Sequence, residues 1–231
     1  MLDRTRHELI LNNIIKDVYG DRFLAPILGF KGGTACYLLH RVPRFSTDLD
    51  FNLLNPKQKE RVFKRFKEIL SKYGRMKESW MKKNTIFFLL SYEEKLQNVK
   101  VEISIRDFGN NYEVINYFGL PVLVMKKENI FAHKLVALSE RKKIANRDLF
   151  DIHFFLEGNW PINEEIIKMR TNKSLKEYLK YLIRFIKKNV SEKNILFGLG
   201  EILDKKQKSF VKANLKKETL FLLNVYLKNL K

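Results

Sequence analysis

Apolar residues at Leu9, Ile10, Ile14, Ile15 and Val18 recur at intervals of about three to four, the spacing of one helix face. That pattern predicts a helix from Leu2 to Val18, closed by Gly20. Ile27-Leu28-Gly29-Phe30, then Lys31-Gly32-Gly33-Thr34, then Ala35 to His40 predict a strand, a glycine turn and a helix. Arg41 to Thr47, with Pro43, reads as a loop. Beyond it Leu49, Phe51 and Leu53 alternate with Asp48, Asp50 and Asn52, so a half-buried strand would carry both aspartates on its polar face. Lys57 to Tyr73 places Val62, Phe63, Phe66, Ile69 and Leu70 at helical spacing among many cations, an amphipathic helix ending before Gly74.

Strand-like runs follow at Arg75 to Met81, Thr85 to Tyr92 and Val99 to Arg106, the last alternating so that Glu102 lies on one face. Tyr112 to Phe118 and Val122 to Met125 complete the strands. Phe87 and Phe88 are adjacent, no alternation exposes both, and they read as sheet core rather than as a base-stacking surface. After Lys126 the periodicity becomes helical over Lys127 to Ser139, Asn146 to Glu157, Glu164 to Met169, Leu175 to Lys188 and Lys205 to Lys228. Strands early and helices late predict an α/β (α+β) fold: a mixed-sheet domain over residues 1–125, then a helical domain over 126–231. There are no internal repeats and no low-complexity linker.

Composition narrows the function. Of 231 residues, 45% are hydrophobic and 18 are Phe, ample for a packed core. Cys36 is the only cysteine, which excludes a disulfide scaffold and a cysteine-based zinc cluster and suits a reducing, cytoplasmic location. No apolar run approaches the roughly 20 residues of a membrane span, and the start of the chain, with Asp3, Arg4, Arg6 and Glu8, is unlike a secretion signal. Lys and Arg number 45 against 26 Asp and Glu, a net charge of +19. Such an excess attracts polyanions, nucleic acid or nucleotides above all, although lysine-rich solvated faces produce the same count. From Pro161 onward 17 Lys and Arg face 7 Asp and Glu, so the tail is the more basic part.

Candidate chemistry gathers around the glycines and aspartates. Two carboxylates at i and i+2 on a strand share a face and can bind a divalent cation through oxygen, as Mg²⁺ requires, and Glu102 on a later strand could be the third ligand. The glycine turn lets amide N–H groups at the start of the next helix approach phosphate oxygens. Alone, a Gly-Gly pair is ordinarily just a turn and a strand Asp-x-Asp just a polar face. Together they describe metal-assisted phosphoryl transfer. His133, His40 and His153 read as packing histidines, and Cys36 as a small core residue.

Gly32-Gly33-Thr34, followed by Arg44 and Ser46-Thr47-Asp48-Leu49-Asp50-Phe51, resembles the nucleotidyltransferase superfamily of DNA polymerase β type, and within it the AbiEii/AbiGii toxin family that includes the MenT toxins. The resemblance continues through Glu128 to Leu138, with Lys134, and through Asn146-Arg147-Asp148-Leu149-Phe150-Asp151-Ile152. It implies a nucleotidyltransferase catalytic domain at residues 1–125. It also implies that Gly32, Gly33, Thr34, Lys134 and Arg147 bind nucleotide, that Asp48, Asp50 and Glu102 hold Mg²⁺ (Mn²⁺ being the alternative), and that Asp48, Asp50, Lys134 and Asp148 are catalytic. Family members often have Asp where Glu102 stands. Arg147 and Asp151 could instead form a structural ion pair or cap. Lys134 is expected to contact triphosphate and to matter more for NTP binding than for folding.

The resulting expectation is a toxin of a toxin–antitoxin system of phage-defence type. It would move NMP from an NTP to an acceptor hydroxyl, the 3′ end of tRNA in the MenT branch, with a cognate antitoxin as partner and no membrane. Two other readings are a small-molecule, aminoglycoside-type nucleotidyltransferase and a catalytically silent nucleic-acid-binding module. The +19 charge disfavours a cationic substrate, and the retained carboxylates disfavour a silent site.

Overall fold

The computed structural model describes residues 3–93 and 98–230, so Leu2, the expected first residue of the leading helix, lies outside them. The chain forms two compact units, Met1–Asp107 with Asn111–Met125, and Phe108–Asn110 with Lys126–Lys231.

In the first unit α1 (Arg4–Gly20) begins at Asp3, whose carboxylate accepts from the Arg6 amide at 3.0 Å, an N-cap. Its buried face is Ile10, Leu11, Ile14, Ile15 and Val18. Leu9, expected on that face, is instead 49% exposed, because adjacent positions 9 and 10 point about 100° apart on a helix. Strand β1 (Leu28–Lys31) runs directly into α2 (Gly32–His40), so the glycines form the helix's first turn rather than a separate one. Next come β2 (Asp48–Leu53), a short 3₁₀ turn at Pro56–Gln58, α3 (Lys59–Ser71) and strands β3 (Arg75–Lys82), β4 (Thr85–Ser91), β5 (Val99–Ser104), β6 (Tyr112–Tyr117) and β7 (Leu120–Met125).

The seven strands form one mixed sheet in the order β3-β4-β5-β2-β1-β7-β6. Strand β2 is therefore the middle strand, antiparallel to β1 and parallel to β5. On one face Phe51 packs against Phe30, its register partner, and against Phe66 of α3, with ring centroids 5.3 and 5.8 Å away. Phe88 stacks on Phe63 and Phe66 of α3 on that same side. Each such fully buried ring is worth about 1.5–3 kcal/mol, and together they press the sheet's apolar face onto α3 and leave the aspartates on the other. Phe87 departs from the expectation of core burial: it is half-buried, while Phe88 is fully buried. Adjacent strand residues must face opposite ways.

The second unit holds α4 (Lys127–Glu140), α5 (Asn146–Glu157), α6 (Glu164–Thr171), α7 (Leu175–Asn189), α8 (Lys205–Ala213) and α9 (Leu215–Asn229). The single helix expected over Lys205 to Lys228 is broken at Asn214, whose φ of −127° and ψ of −30° depart from helical values. The break lets α9 bury Leu215, Thr219 and Leu223 independently of α8. Reciprocal Ser174–Glu177 and Asp204–Gln207 capping boxes start α7 and α8. Tyr178 is buried on α7 and donates its hydroxyl to the Leu135 carbonyl of α4 at 2.9 Å. Among the described residues, no helix is long and apolar enough to cross a membrane.

Candidate active site

The alternation of β2 buries Leu49 and Phe51 and sends Asp48 and Asp50 to the opposite face. Register brings their partners there. Asp48 stands opposite Lys100 and Asp50 opposite Glu102 on β5, while Lys31 of β1 stands opposite Asp50 on the other side. The Lys100 ammonium lies 3.3 Å from Asp48 Oδ2 and 3.9 Å from Glu102 Oε2, a monovalent cation held among the carboxylates. Burial opposes that charge, but Asp48, Asp50 and Glu102 outweigh it and push the lysine's pKa up. Burial is also the main cause that raises the Asp50 carboxyl above its ordinary value. Lys100 and Lys31 oppose that rise, and Asp48 and Glu102 add to it. A face of three carboxylates that already draws a cation is the oxygen-only donor set a hard divalent ion takes, so these residues fit Mg²⁺.

Beside Asp50 the chain turns into α2. Gly32 has a φ of +80°, and a Cβ there would collide with the Asp50 carboxylate. A Cβ on Gly33 would come within 2.8 Å of Arg44 Nη2 and 3.0 Å of Ser46 Oγ. The glycines thus let the first turn of α2, whose amides have no partner inside the helix, lie against both the carboxylates and the buried Arg44 guanidinium. An amide turn with an arginine behind it has the chemistry to cradle a phosphate. Thr34 is fully buried, and its hydroxyl bonds Ser46 Oγ at 2.9 Å and the Asp48 carbonyl, so the side chain braces β2 and only its amide remains for a phosphate.

His7 secures the same loop from α1. Its Nε2–H donates to the Thr47 carbonyl at 2.9 Å, and its Nδ1 is hydrogen-bonded to the Tyr92 hydroxyl at 2.9 Å, from which the neutral ring accepts. Burial lowers its pKa from the ordinary 6.5, against the smaller raising effects of the Thr47 carbonyl and Asp48. Below about pH 6.5 the unfolded chain therefore takes up a proton that the folded protein resists, and stability falls with falling pH by up to about 1.4 kcal/mol per unit. Urea midpoints measured from pH 7.5 downward should show this slope in the wild type and a shallower one in His7→Gln.

In the second unit Lys134 of α4 meets two buried carboxylates of α5, Asp148 at 2.8 Å and Asp151 at 2.9 Å, and Arg141 takes the other oxygen of Asp148 at 2.8 Å. Both aspartate side chains are fully buried and that of Lys134 is 13% exposed. Burial alone would raise the Asp148 carboxyl. Lys134 and Arg141 outweigh it and hold the group below its ordinary value, with help from the charge of Arg147. Arg147 itself is half-buried, and Asp151 forms a structural ion pair with Lys134. Lys134 is thus embedded in a charge-balanced cluster joining two helices, so its loss bears on folding as well as on any contact with NTP.

His133 is tied on both sides: Arg170 Nη1 donates to its Nδ1 at 2.9 Å and its Nε2–H donates to Asn110 at 2.6 Å. His153 lies between Glu157 and Glu218, at 3.3 and 3.2 Å. Both are fastening groups.

The sequence reading missed Lys100 and His7 as contributors to the site, and it placed Arg44 in the motif without giving it a role. Lys100 alternates in phase with Glu102, the one local signal that could have placed it on the carboxylate face. His7 acquires meaning only through contacts distant along the chain, with Thr47 and Tyr92.

Comparison with known proteins places this geometry. No curated protein matches the chain. Among solved structures it is similar to a candidate nucleotidyltransferase from H. pylori, with 23% identity and a TM-score of 0.64 over 97% of this chain and 94% of that one. JHP933 from Helicobacter pylori is similar at 22% identity and a TM-score of 0.62, over 99% of this chain and 94% of that one. At those identities the likeness is one of fold. The sequence profile described as the nucleotidyl transferase AbiEii toxin of type IV toxin–antitoxin systems matches residues 14–219, spanning the carboxylate face, the glycine-started helix and the Lys134 cluster. The chain belongs to the AbiEii family and is a nucleotidyltransferase toxin of a type IV toxin–antitoxin system.

Proposed function

We propose that this nucleotidyltransferase moves NMP from an NTP to a hydroxyl of RNA, at the 3′ end of tRNA, with Mg²⁺ as its metal and Mn²⁺ as a substitute. The observation that carries this reading is the sharing of one sheet face by Asp48, Asp50 and Glu102, beside the glycine-started helix. Those three side chains would hold the metal. When bound there, a divalent ion activates the attacking hydroxyl and neutralises charge on the leaving pyrophosphate. The amides of Gly32, Gly33 and Thr34, backed by Arg44, receive the triphosphate, and Lys31 adds positive charge at the Asp50 end of that cradle. Lys100 balances the charge of the carboxylates. Family resemblance adds Lys134 and Arg147 as nucleotide-binding groups and Asp148 as catalytic.

A net charge of +19 suits an acceptor rich in phosphate and disfavours a cationic small molecule. Added nucleotides at the 3′ end of tRNA would block aminoacylation and stop growth, and a cognate antitoxin, as the family implies, would restrain this. Arrest of an infected cell would place the pair in phage defence. Incubation with each labelled NTP in turn, Mg²⁺ and total RNA, followed by gel separation, should label a band of tRNA size with one preferred nucleotide. Absence of label in RNA with all four NTPs would overturn the proposal.

A further inference from the structure

The row of residues that crosses the sheet through Asp50 does not end at the carboxylates. Lys31 stands opposite Asp50, Asp50 opposite Glu102, Glu102 opposite Phe87, and Phe87 opposite Trp80 on the edge strand β3. Directly opposed residues project from the same face, so two aromatic rings follow three charged groups in a line. Phe87 and Trp80 are stacked, with centroids 4.7 Å apart and planes 11° from parallel, and both remain half-buried. The apolar core is completed on the other face by Phe88. Lys82 holds its ammonium 4.6 Å from the Trp80 ring centroid, and Lys82 and Lys83 are exposed. Half-buried aromatic rings beside cations are the composition of surfaces that bind unpaired nucleic acid, because every base offers a π-face and every nucleotide a phosphate.

The geometry points to the Trp80–Phe87 stack as a platform for the unpaired terminal base of the nucleic-acid acceptor, an inference that rests on RNA being that acceptor. Its place in the row favours the acceptor over the incoming NTP. The phosphate cradle adjoins Asp50 on the Lys31 side, whereas the aromatic pair lies beyond Glu102 on the other. In-line transfer requires the attacking hydroxyl and the leaving pyrophosphate on opposite sides of the phosphorus. With strands about 4.8 Å apart, Phe87 is one strand from Glu102 and two from Asp50, within the span of a single nucleotide. A base laid on the stack would set its own ribose hydroxyl toward the carboxylates. Lys82 would yield the Trp80 ring to the base and take the neighbouring phosphate, a contact that positions without reading sequence.

The test is binding of a fluorescently labelled single-stranded oligoribonucleotide, followed by anisotropy, in the wild type, Trp80→Leu and Phe87→Leu. Either substitution should weaken binding by about tenfold or more and leave NTP affinity unchanged. Trp80→Phe should restore most of the loss. An oligomer whose 3′-terminal nucleotide is abasic should bind the wild type as weakly as the intact oligomer binds the leucine variants, a comparison that needs no altered protein. Equal binding of intact and abasic oligomers overturns the platform, as does an equal loss of NTP affinity in the variants, which would seat the incoming base there. Labelling of RNA by the wild type keeps the two inferences apart. Labelling without base-dependent binding removes the platform alone, and base-dependent binding without labelling removes the transfer reading alone.

Discussion

Asp48→Asn and Asp50→Asn should each lower nucleotide transfer by about 10²–10³-fold or more, the scale on which one electrostatic group at a reacting centre is lost, while the protein remains folded. Both carboxylates stand on the polar face of the sheet, outside the aromatic core. Removing either relieves repulsion within a cluster that also contains Glu102. The pair between Asp48 and Lys100 is partly exposed and spans 3.3 Å, so its loss costs little, about 1 kcal/mol or less. Transfer assays alongside urea unfolding separate the two effects. Unaltered transfer by either variant would remove the carboxylates from the chemistry. Growth arrest on expression should disappear together with transfer.

Lys134→Ala should have the opposite profile, destabilising the fold by about 3–5 kcal/mol because it removes the ammonium that pairs with both buried carboxylates, Asp148 and Asp151. Denaturant midpoints check this, and a midpoint within error of the wild type would show that the cluster is not held by its lysine. The pH dependence has a definite sign. The folded pKa of Asp148 lies below its ordinary 3.8, so the stability it contributes is complete above that value and is lost as pH falls through the folded value. Without Lys134 the depression shrinks, and acid unfolding should begin at higher pH. Loss of activity in this variant is therefore read against its stability before any role toward NTP is assigned.

The elements that could be read from the sequence are those whose signal is local. Asp48 to Leu53 alternates with period two, which fixes both its strand character and the shared face of its aspartates. The bounds of α5, Asn146–Glu157, follow from helical periodicity in the same way. The central position of β2 was not legible, because it depends on pairing with β5, remote in sequence, as well as with β1. Lys100 joins the carboxylates through that parallel pairing. The break at Asn214 interrupts a continuous apolar period and is set by packing of α9 rather than by a glycine or proline. Phe87 and Phe88 carry the same chemistry in the sequence, and only the register against Glu102 distinguishes the ring beside the site from the ring in the core. The carboxylates that pair with Lys134 sit on the next helix, where a sequence shows charge but not distance, so its structural role was not legible beside the expected contact with phosphate.

The central claim is that the carboxylate face of β2 and β5 joins a nucleotide to RNA. Its most direct test is the intact mass of purified tRNA after incubation with the protein, NTPs and Mg²⁺, together with the pyrophosphate released. The account predicts a mass gain of whole NMP residues, one pyrophosphate for each residue added, and neither with Asp50→Asn. Unchanged tRNA mass with the wild-type protein, or equal mass gain with wild type and Asp50→Asn, would contradict it.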